Sequence, residues 1–192
     1  MPPPIPEGKG HLLLEAGGIP ELNFYVIDQE TEDEVYSFSP RPSARSPSAY
    51  ERSGKEFQLK TYLDPGIYTV IVNTDFGETI EIPDVEIRLG EEKWVPVQVG
   101  RFMLNVTRDG VRTQVRFLLY DYNMRSVVGE GMTSTQLRHF ITRTGVYKVR
   151  IELLASGIDV HRIVEVNMGR VTPLNIELEP QEEEPSEPEP EF

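Results

Sequence analysis

Residues 85–90 read Val-Glu-Ile-Arg-Leu-Gly, and 79 positions later residues 164–169 read Val-Glu-Val-Asn-Met-Gly. The same offset places Gly-Ile-Tyr-Thr-Val at residues 66–70 on Gly-Val-Tyr-Lys-Val at residues 145–149. Alternating apolar residues then follow each copy at matching positions: Val95, Val97 and Val99 in the first, and Leu174, Ile176 and Leu178 in the second. Blocks that recur in the same order indicate an internal duplication, so we predict two copies of one unit.

The blocks near the start of each unit show that the two units differ in length. Residues 24–28 resemble residues 117–121 at an offset of 93, so the first unit carries about 14 additional residues, for which residues 39–54 are the obvious place. An acidic, proline-rich end has no apolar surface with which to build a core, so we expect the last residues to be disordered. The predicted organisation is a flexible arm (1–9), a first module (10–99) with a long loop (39–54), a second module (100–179) and a disordered acidic tail (180–192).

The apolar residues within each unit recur with a period of two, as in Tyr68, Val70 and Val72, and turn residues follow every 8 to 12 positions. This spacing is typical of β-strands, and no uninterrupted stripe with helical spacing is present. Six or seven short strands in under about 95 residues suit a small immunoglobulin-like sandwich. We therefore predict an all-β fold with two tandem β-sandwich modules.

A resemblance to a known group supports this prediction. Residues 63–70, Leu-Asp-Pro-Gly-Ile-Tyr-Thr-Val, followed by a glycine turn and a final alternating strand, resemble the carboxypeptidase regulatory-like, PEGA and transthyretin-like sandwich modules. The second unit has Thr144 before Gly145 and lacks the proline of that turn. The resemblance implies transthyretin-like modules with a non-enzymatic interaction or spacer role, and it transfers no catalytic residue.

Composition excludes several classes of protein. No cysteine is present, which removes disulfides, thiolate zinc sites and cysteine nucleophiles. A net charge of −13 opposes binding to nucleic acid or to an anionic membrane surface, and no apolar stretch is long enough to span a membrane. The start of the chain lacks the features of a signal peptide, which predicts a cytoplasmic or virion-associated protein, or a secreted one if a leader has been removed.

No pattern of catalytic, cofactor-binding or metal-binding residues is found. The histidines His11, His139 and His161 lie on predicted strands without metal-ligand spacing, although His139 and His161 could meet across a sheet. Gly17-Gly18 and Gly110 are expected in hairpin turns rather than in phosphate-binding loops. The acidic residues 28–34 lack the spacing of a calcium loop and are expected to form a solvated turn.

The long loop is the strongest candidate for an interaction site. It concentrates cations and one aromatic residue in an otherwise acidic unit, namely Arg41, Arg45, Tyr50 and Arg52. Such loops either carry function or are simply disordered. Trp94 is a second candidate, since its counterpart Pro173 suggests a position near a sheet edge; its alternative role is packing.

The two units differ in charge. Residues 9–99 hold 8 Lys and Arg against 17 Asp and Glu, whereas residues 100–180 hold 11 against 8. Opposite net charges of this kind favour either head-to-tail self-association or folding of the acidic tail onto the second unit. Arg112, Arg116 and Arg125 are the candidate contacts.

These observations favour a structural, assembly or protein-interaction protein, a two-module β rod that docks on a larger complex, surface layer or viral particle. The expected partner is another protein or a second copy of the chain. A small-ligand or carbohydrate-binding module and an accessory domain of a hydrolase are the alternatives.

Overall fold

The computed structural model describes residues 4–19, 22–39, 59–153 and 158–179. Within these ranges the chain forms fifteen β-strands and no helix, so no described segment is a candidate membrane-spanning helix. The first seven strands are β1 (Gly10–Glu15), β2 (Asn23–Asp28), β3 (Glu34–Phe38), β4 (Leu59–Leu63), β5 (Gly66–Asn73), β6 (Thr79–Ile87) and β7 (Glu92–Pro96). The others are β8 (Val99–Arg108), β9 (Val111–Arg112), β10 (Arg116–Asp121), β11 (Val127–Met132), β12 (His139–Arg143), β13 (Gly145–Leu153), β14 (Ile158–Val166) and β15 (Val171–Leu178).

The strands form four sheets, two from β1–β7 and two from β8–β15, which we call module 1 and module 2. Module 1 has the sheets β4-β1-β7 and β3-β2-β5-β6, and module 2 repeats this order as β12-β8-β15 and β11-β10-β13-β14, with β9 added beside β8. In each module the first strand pairs in parallel with the last strand: β1 with β7 and β8 with β15. The first strand also pairs antiparallel with β4 in module 1 and with β12 in module 2. The all-β prediction is confirmed, while the limits 10–99 and 100–179 stay a prediction.

The duplication extends to the hydrogen-bond register. Tyr68 lies opposite Val85, and Tyr147 lies opposite Val164, at the same offset of 79 that relates the sequence blocks. The Tyr68 hydroxyl donates to the Asp64 carbonyl and the Tyr147 hydroxyl to the Arg143 carbonyl, each at 2.8 Å. Each tyrosine therefore ties the start of its strand to the preceding corner, as a corner tyrosine does in immunoglobulin-like sandwiches.

Each module encloses its own core, because alternate side chains of both sheets point inward. Leu12, Phe24 and Val70 are among the buried residues of the first core, and Phe117 and Val149 are among those of the second. Val70 and Val149 have no exposed surface, so the inward phase predicted for these strands is confirmed.

Some turns differ from the sequence-based expectation. The Gly17-Gly18 turn joins β1 to β2, which lie in different sheets, so it is not a hairpin turn as expected. Gly110 does lie in a hairpin turn, between β8 and β9, where Asp109 and Gly110 both have positive φ angles. His139 and His161 lie on β12 and β14, in different sheets, so they do not pair across a sheet.

The two modules contact each other through the β5–β6 turn of module 1. The Asp75 backbone amide donates to the Ile141 carbonyl at 3.0 Å, and the Asp75 carboxylate accepts from the Ile141 amide at 2.9 Å. Arg143 forms an ion pair with Glu78 at 3.3 Å, and the Ile141 side chain packs against the core of module 1. These reciprocal contacts fix module 2 against module 1.

Two predicted segments fall wholly or almost wholly outside the described residues: the long loop at 39–54, apart from its first residue, and the acidic tail at 180–192. The predicted N-terminal arm is described from Pro4 onward. It contains a turn at residues 7–8, and the Lys9 ammonium lies 2.8 Å from the Asp64 carboxylate.

Candidate interaction surface

The acidic residues 28–34 form the turn between β2 and β3. The Asp28 side chain accepts hydrogen bonds from the backbone amides of Glu30 at 2.8 Å and Thr31 at 3.2 Å, and its own amide donates to the Asp33 carbonyl. The solvated turn predicted for this segment is confirmed. Among the described residues, no group of three or more His, Asp or Glu side chains is arranged to hold a metal ion.

His11 is buried on β1, outside the main core. Its ring stacks on Tyr62 with centroids 4.6 Å apart, and its Nδ1 lies 3.4 Å from the Glu92 carboxylate. The Nε2 atom is buried and has no hydrogen-bond partner. A stacked and nearly inaccessible ring cannot approach a substrate, so we interpret His11 as a packing residue.

Trp94 lies on β7, an edge strand, and 46% of its surface is exposed. The edge position suggested by its counterpart Pro173 is therefore confirmed. Arg41, Arg45, Tyr50 and Arg52 lie outside the described residues.

The structure does not bring Arg112, Arg116 and Arg125 together. Arg116 begins β10, while the Arg125 amide donates to Asp121 at its other end, roughly 17 Å away at about 3.3 Å per residue. Arg112 lies on β9, in the other sheet, and donates to the Asn105 side chain at 3.2 Å. Arg116 also forms ion pairs with Glu130 and with Glu152.

The outward side of sheet β11-β10-β13-β14, which we call the outer face of module 2, carries a concentration of exposed apolar residues. The register places Tyr120 beside Lys148 and Lys148 beside Ile163, and this row alternates with inward residues such as Val149. Five of the thirteen large hydrophobic residues exposed in the described parts of the chain lie on this face. They are Tyr122, Val127, Met132, Val146 and Ile163, each exposed by between 42% and 56%.

The charged groups of this face are largely paired within it. Arg150 forms an ion pair with Asp159 at 2.6 Å and donates to the Tyr120 hydroxyl at 3.5 Å. The Lys148 ammonium lies 5.3 Å from the centre of the Tyr122 ring, a cation–π distance. The face therefore presents apolar side chains among charges that already have partners, a pattern that the sequence analysis did not identify.

No family model matches the chain, and no curated protein matches it. Its fold is similar to parts of several solved bacterial structures. The Bacillus anthracis TIE protein is 16% identical with a TM-score of 0.35; the similarity covers 89% of this chain and 34% of that chain, so this chain spans about a third of its length. An adhesin candidate from Bacteroides ovatus is 11% identical with a TM-score of 0.35, covering 89% of this chain and 87% of that one. A cell-adhesion candidate from Bacteroides fragilis is 6% identical with a TM-score of 0.31, covering 93% and 83%. These likenesses are too distant to carry a function over, and the resemblance of the sequence blocks to known modules holds at the level of a β-sandwich fold.

Proposed function

We propose that the protein is a non-enzymatic structural or assembly protein whose two modules act as one stiff unit and dock onto another protein. The outer face of module 2 is the docking surface. The observation that supports this proposal is the set of exposed apolar residues on one side of one sheet: Tyr122, Val127, Val146 and Ile163 lie towards one end, and Met132 lies beside Arg116 at the other. Exposed apolar residues that gather on one face commonly mark an interaction site.

The charges of the face favour a folded protein as its partner. Arg116, Lys148 and Arg150 are offset on this face by acidic residues of β11, β13 and β14, among them Glu130, Glu152 and Asp159. Such a surface offers no net attraction to an anionic polymer. Burying charges that are already paired costs less desolvation free energy than burying free charges. The partner surface that best complements this face is therefore an apolar patch with a rim of mixed polar residues.

The fixed geometry of the two modules suits an assembly role. The contacts of Asp75 with Ile141 and of Arg143 with Glu78 hold the modules in one arrangement, so a partner bound to one module is positioned relative to the other. We further propose that both modules belong to the transthyretin-like group, on the support of the glycine-led turns before Tyr68 and Tyr147. A surface layer, a viral particle or another large complex is the proposed setting.

The test is a comparison of two double variants of the full chain as baits in the source cells. Tyr122→Ser with Ile163→Ser alters the outer face, and Ile67→Ser with Val111→Ser removes apolar groups that are at least as exposed elsewhere, on β5 and β9. Exposed substitutions cost little stability. We expect quantitative mass spectrometry to show a partner that the first variant loses and the control retains. Equal capture by both variants, or equal loss, contradicts the assignment of the face.

One observation favours carbohydrate binding as a second function. Trp94 is half exposed on an edge strand, and an accessible aromatic ring offers an apolar surface with a polar edge to a ligand. Glycan-array binding that Trp94→Ala abolishes supports this alternative, and an array without signal removes it.

A further inference from the structure

The β5–β6 turn of module 1 places an aromatic ring in the core of module 2. Phe76 packs against the core of module 2 rather than that of module 1. Its ring stacks on Phe140 with centroids 5.8 Å apart and on Phe102 at 6.1 Å, and it meets Phe117 edge-on at 6.3 Å. Each geometry is favourable for an aromatic pair, so module 1 supplies a fourth ring to an aromatic cluster of module 2.

A glycine on β11 makes room for this ring. A Cβ atom added to Gly129 would lie 2.4 Å from the Phe76 Cβ and 2.6 Å from a ring carbon. Gly129 does not have a positive φ, so its backbone conformation is open to other residues. The contact with Phe76, rather than backbone strain, is what requires glycine here. We call the space bounded by Gly129, Phe102, Phe117 and Phe140 the aromatic socket.

Module 1 fills the corresponding space with its own side chains. Leu119 pairs with Gly129 in module 2 as Val26 pairs with Tyr36 in module 1, so Tyr36 is the counterpart of Gly129. By the same register Phe38 is the counterpart of Gly131. The rings of Tyr36 and Phe38 lie 5.7 and 5.9 Å from that of Phe24, so aromatic side chains fill the two positions that are glycine in module 2.

The sequence of module 2 has no aromatic residue at the position that corresponds to Phe76. The spacing from Asn73 to Thr79 equals that from Glu152 to Ile158, which gives Ala155 the position of Phe76 in the sequence of module 2. In the sequence, therefore, this turn has an aromatic residue in module 1 and not in module 2, and Gly129 and Gly131 of module 2 correspond to Tyr36 and Phe38 of module 1.

We propose that the aromatic socket is a specific binding site for one aromatic side chain, which Phe76 of module 1 supplies, so that module 2 depends on module 1 for its completed core. The reverse contact, Ile141 in the core of module 1, places an aliphatic side chain and involves no aromatic socket. The Phe76 contact fixes the order of the modules. A second copy of the chain cannot insert its own Phe76 here, because the aromatic socket is already occupied within the chain.

The test uses full-length variants and hydrogen exchange. Phe76→Ala is expected to raise exchange about 10-fold or more in peptides from β8, β10 and β12, and to lower the melting transition of module 2 by on the order of 10 °C. Peptides from β2 and β5 of module 1 are expected to change by less than about twofold. Phe38→Ala is the matched control, since it removes a ring from module 1 and should reverse the pattern. Equal loss of protection in both modules, or no change in either, overturns the proposal.

A double-mutant cycle provides the second readout. Gly129→Ala alone is expected to lower the transition of module 2, because its methyl group displaces Phe76. In the Phe76→Ala background the same substitution is expected to have no effect or to raise the transition, since the methyl group then enters vacated space. An effect of Gly129→Ala that is equally large in both backgrounds shows that the glycine serves the strand itself, and it refutes the aromatic socket.

Discussion

The equivalent tyrosines Tyr68 and Tyr147 allow a prediction about how stability depends on pH. Replacing Tyr68 or Tyr147 with phenylalanine keeps the buried ring and removes a hydroxyl that donates to a backbone carbonyl at 2.8 Å. A hydrogen bond of this kind contributes about 0.5–1.5 kcal/mol net. In a module of 60–100 residues each kcal/mol corresponds to roughly 4–8 °C in Tm, so each variant should melt several degrees lower at pH 7.

The same hydroxyls produce a dependence on alkaline pH. Burial raises the pKa of both Tyr68 and Tyr147 above the ordinary tyrosine value, and the neighbouring Asp28 and Asp64 add to the effect at Tyr68. The unfolded chain therefore releases these protons first as pH rises. The stability that they contribute is fully present below about pH 10 and decreases as pH rises through the folded-state pKa. The phenylalanine variants lose this part of the alkaline slope.

Urea denaturation of the wild type, both single variants and the double variant between pH 7 and 11 measures both effects. Tyr122→Phe is the control, since Tyr122 is exposed and its hydroxyl has no hydrogen bond among those described; it should change stability by less than about 0.5 kcal/mol. A Tyr68→Phe or Tyr147→Phe variant as stable as the wild type at pH 7, with an unchanged alkaline slope, refutes the assigned role of the hydroxyls.

Three further predictions concern packing and the chain end. Val70→Asp or Val149→Asp buries an unpaired carboxylate at a fully buried position, so each should cost more than about 4 kcal/mol; a near-wild-type cooperative melt shows that the inward phase is wrong. Gly17→Ala places a Cβ 2.2 Å from the Gly169 amide nitrogen, whereas Gly18→Ala meets no atom within 4 Å. Both glycines have positive φ, so the backbone cost is shared, and a thermal melt should show Gly17→Ala to be more destabilising by about 1–3 kcal/mol. Equal losses of stability count against the contact between the two turns. Deleting residues 182–191 should leave Tm nearly unchanged because this acidic segment has no apolar surface to bury; a fall of several degrees in calorimetry indicates that the tail is docked.

Repetition made the architecture predictable from sequence. The blocks around Tyr68 and Tyr147 carry the same turn and alternation, and because a strand has a period of two, matching blocks imply matching inward phases. The predicted phase at Val70 and Val149 was therefore correct. Spacing does not identify the neighbouring strand. The short turns at Gly17 and Gly90 suggest hairpins, yet each joins strands in different sheets.

The features that concern interaction were harder to predict from the sequence. Val146 and Ile163 occupy outward positions of strands whose inward positions are also apolar, so alternation alone did not mark them as exposed. The replacement of Tyr36 and Phe38 by Gly129 and Gly131 is present in the sequence alignment of the two units. Its meaning depends on Phe76 crossing from one module to the other, and no local pattern reports such a contact.

The parallel pairing of the first and last strands has a mechanical consequence. In module 2, β8 and β15 run side by side over eight paired positions, from Arg101 beside Val171 to Arg108 beside Leu178. The chain enters β8 at one end of this pair and leaves β15 at the other. A pulling force on the chain is therefore directed along the strands, and their hydrogen bonds resist it together in shear instead of opening one after another. Module 1 has the same arrangement over the five paired positions of β1 and β7, so under tension the shorter pair of module 1 bears the load with fewer bonds.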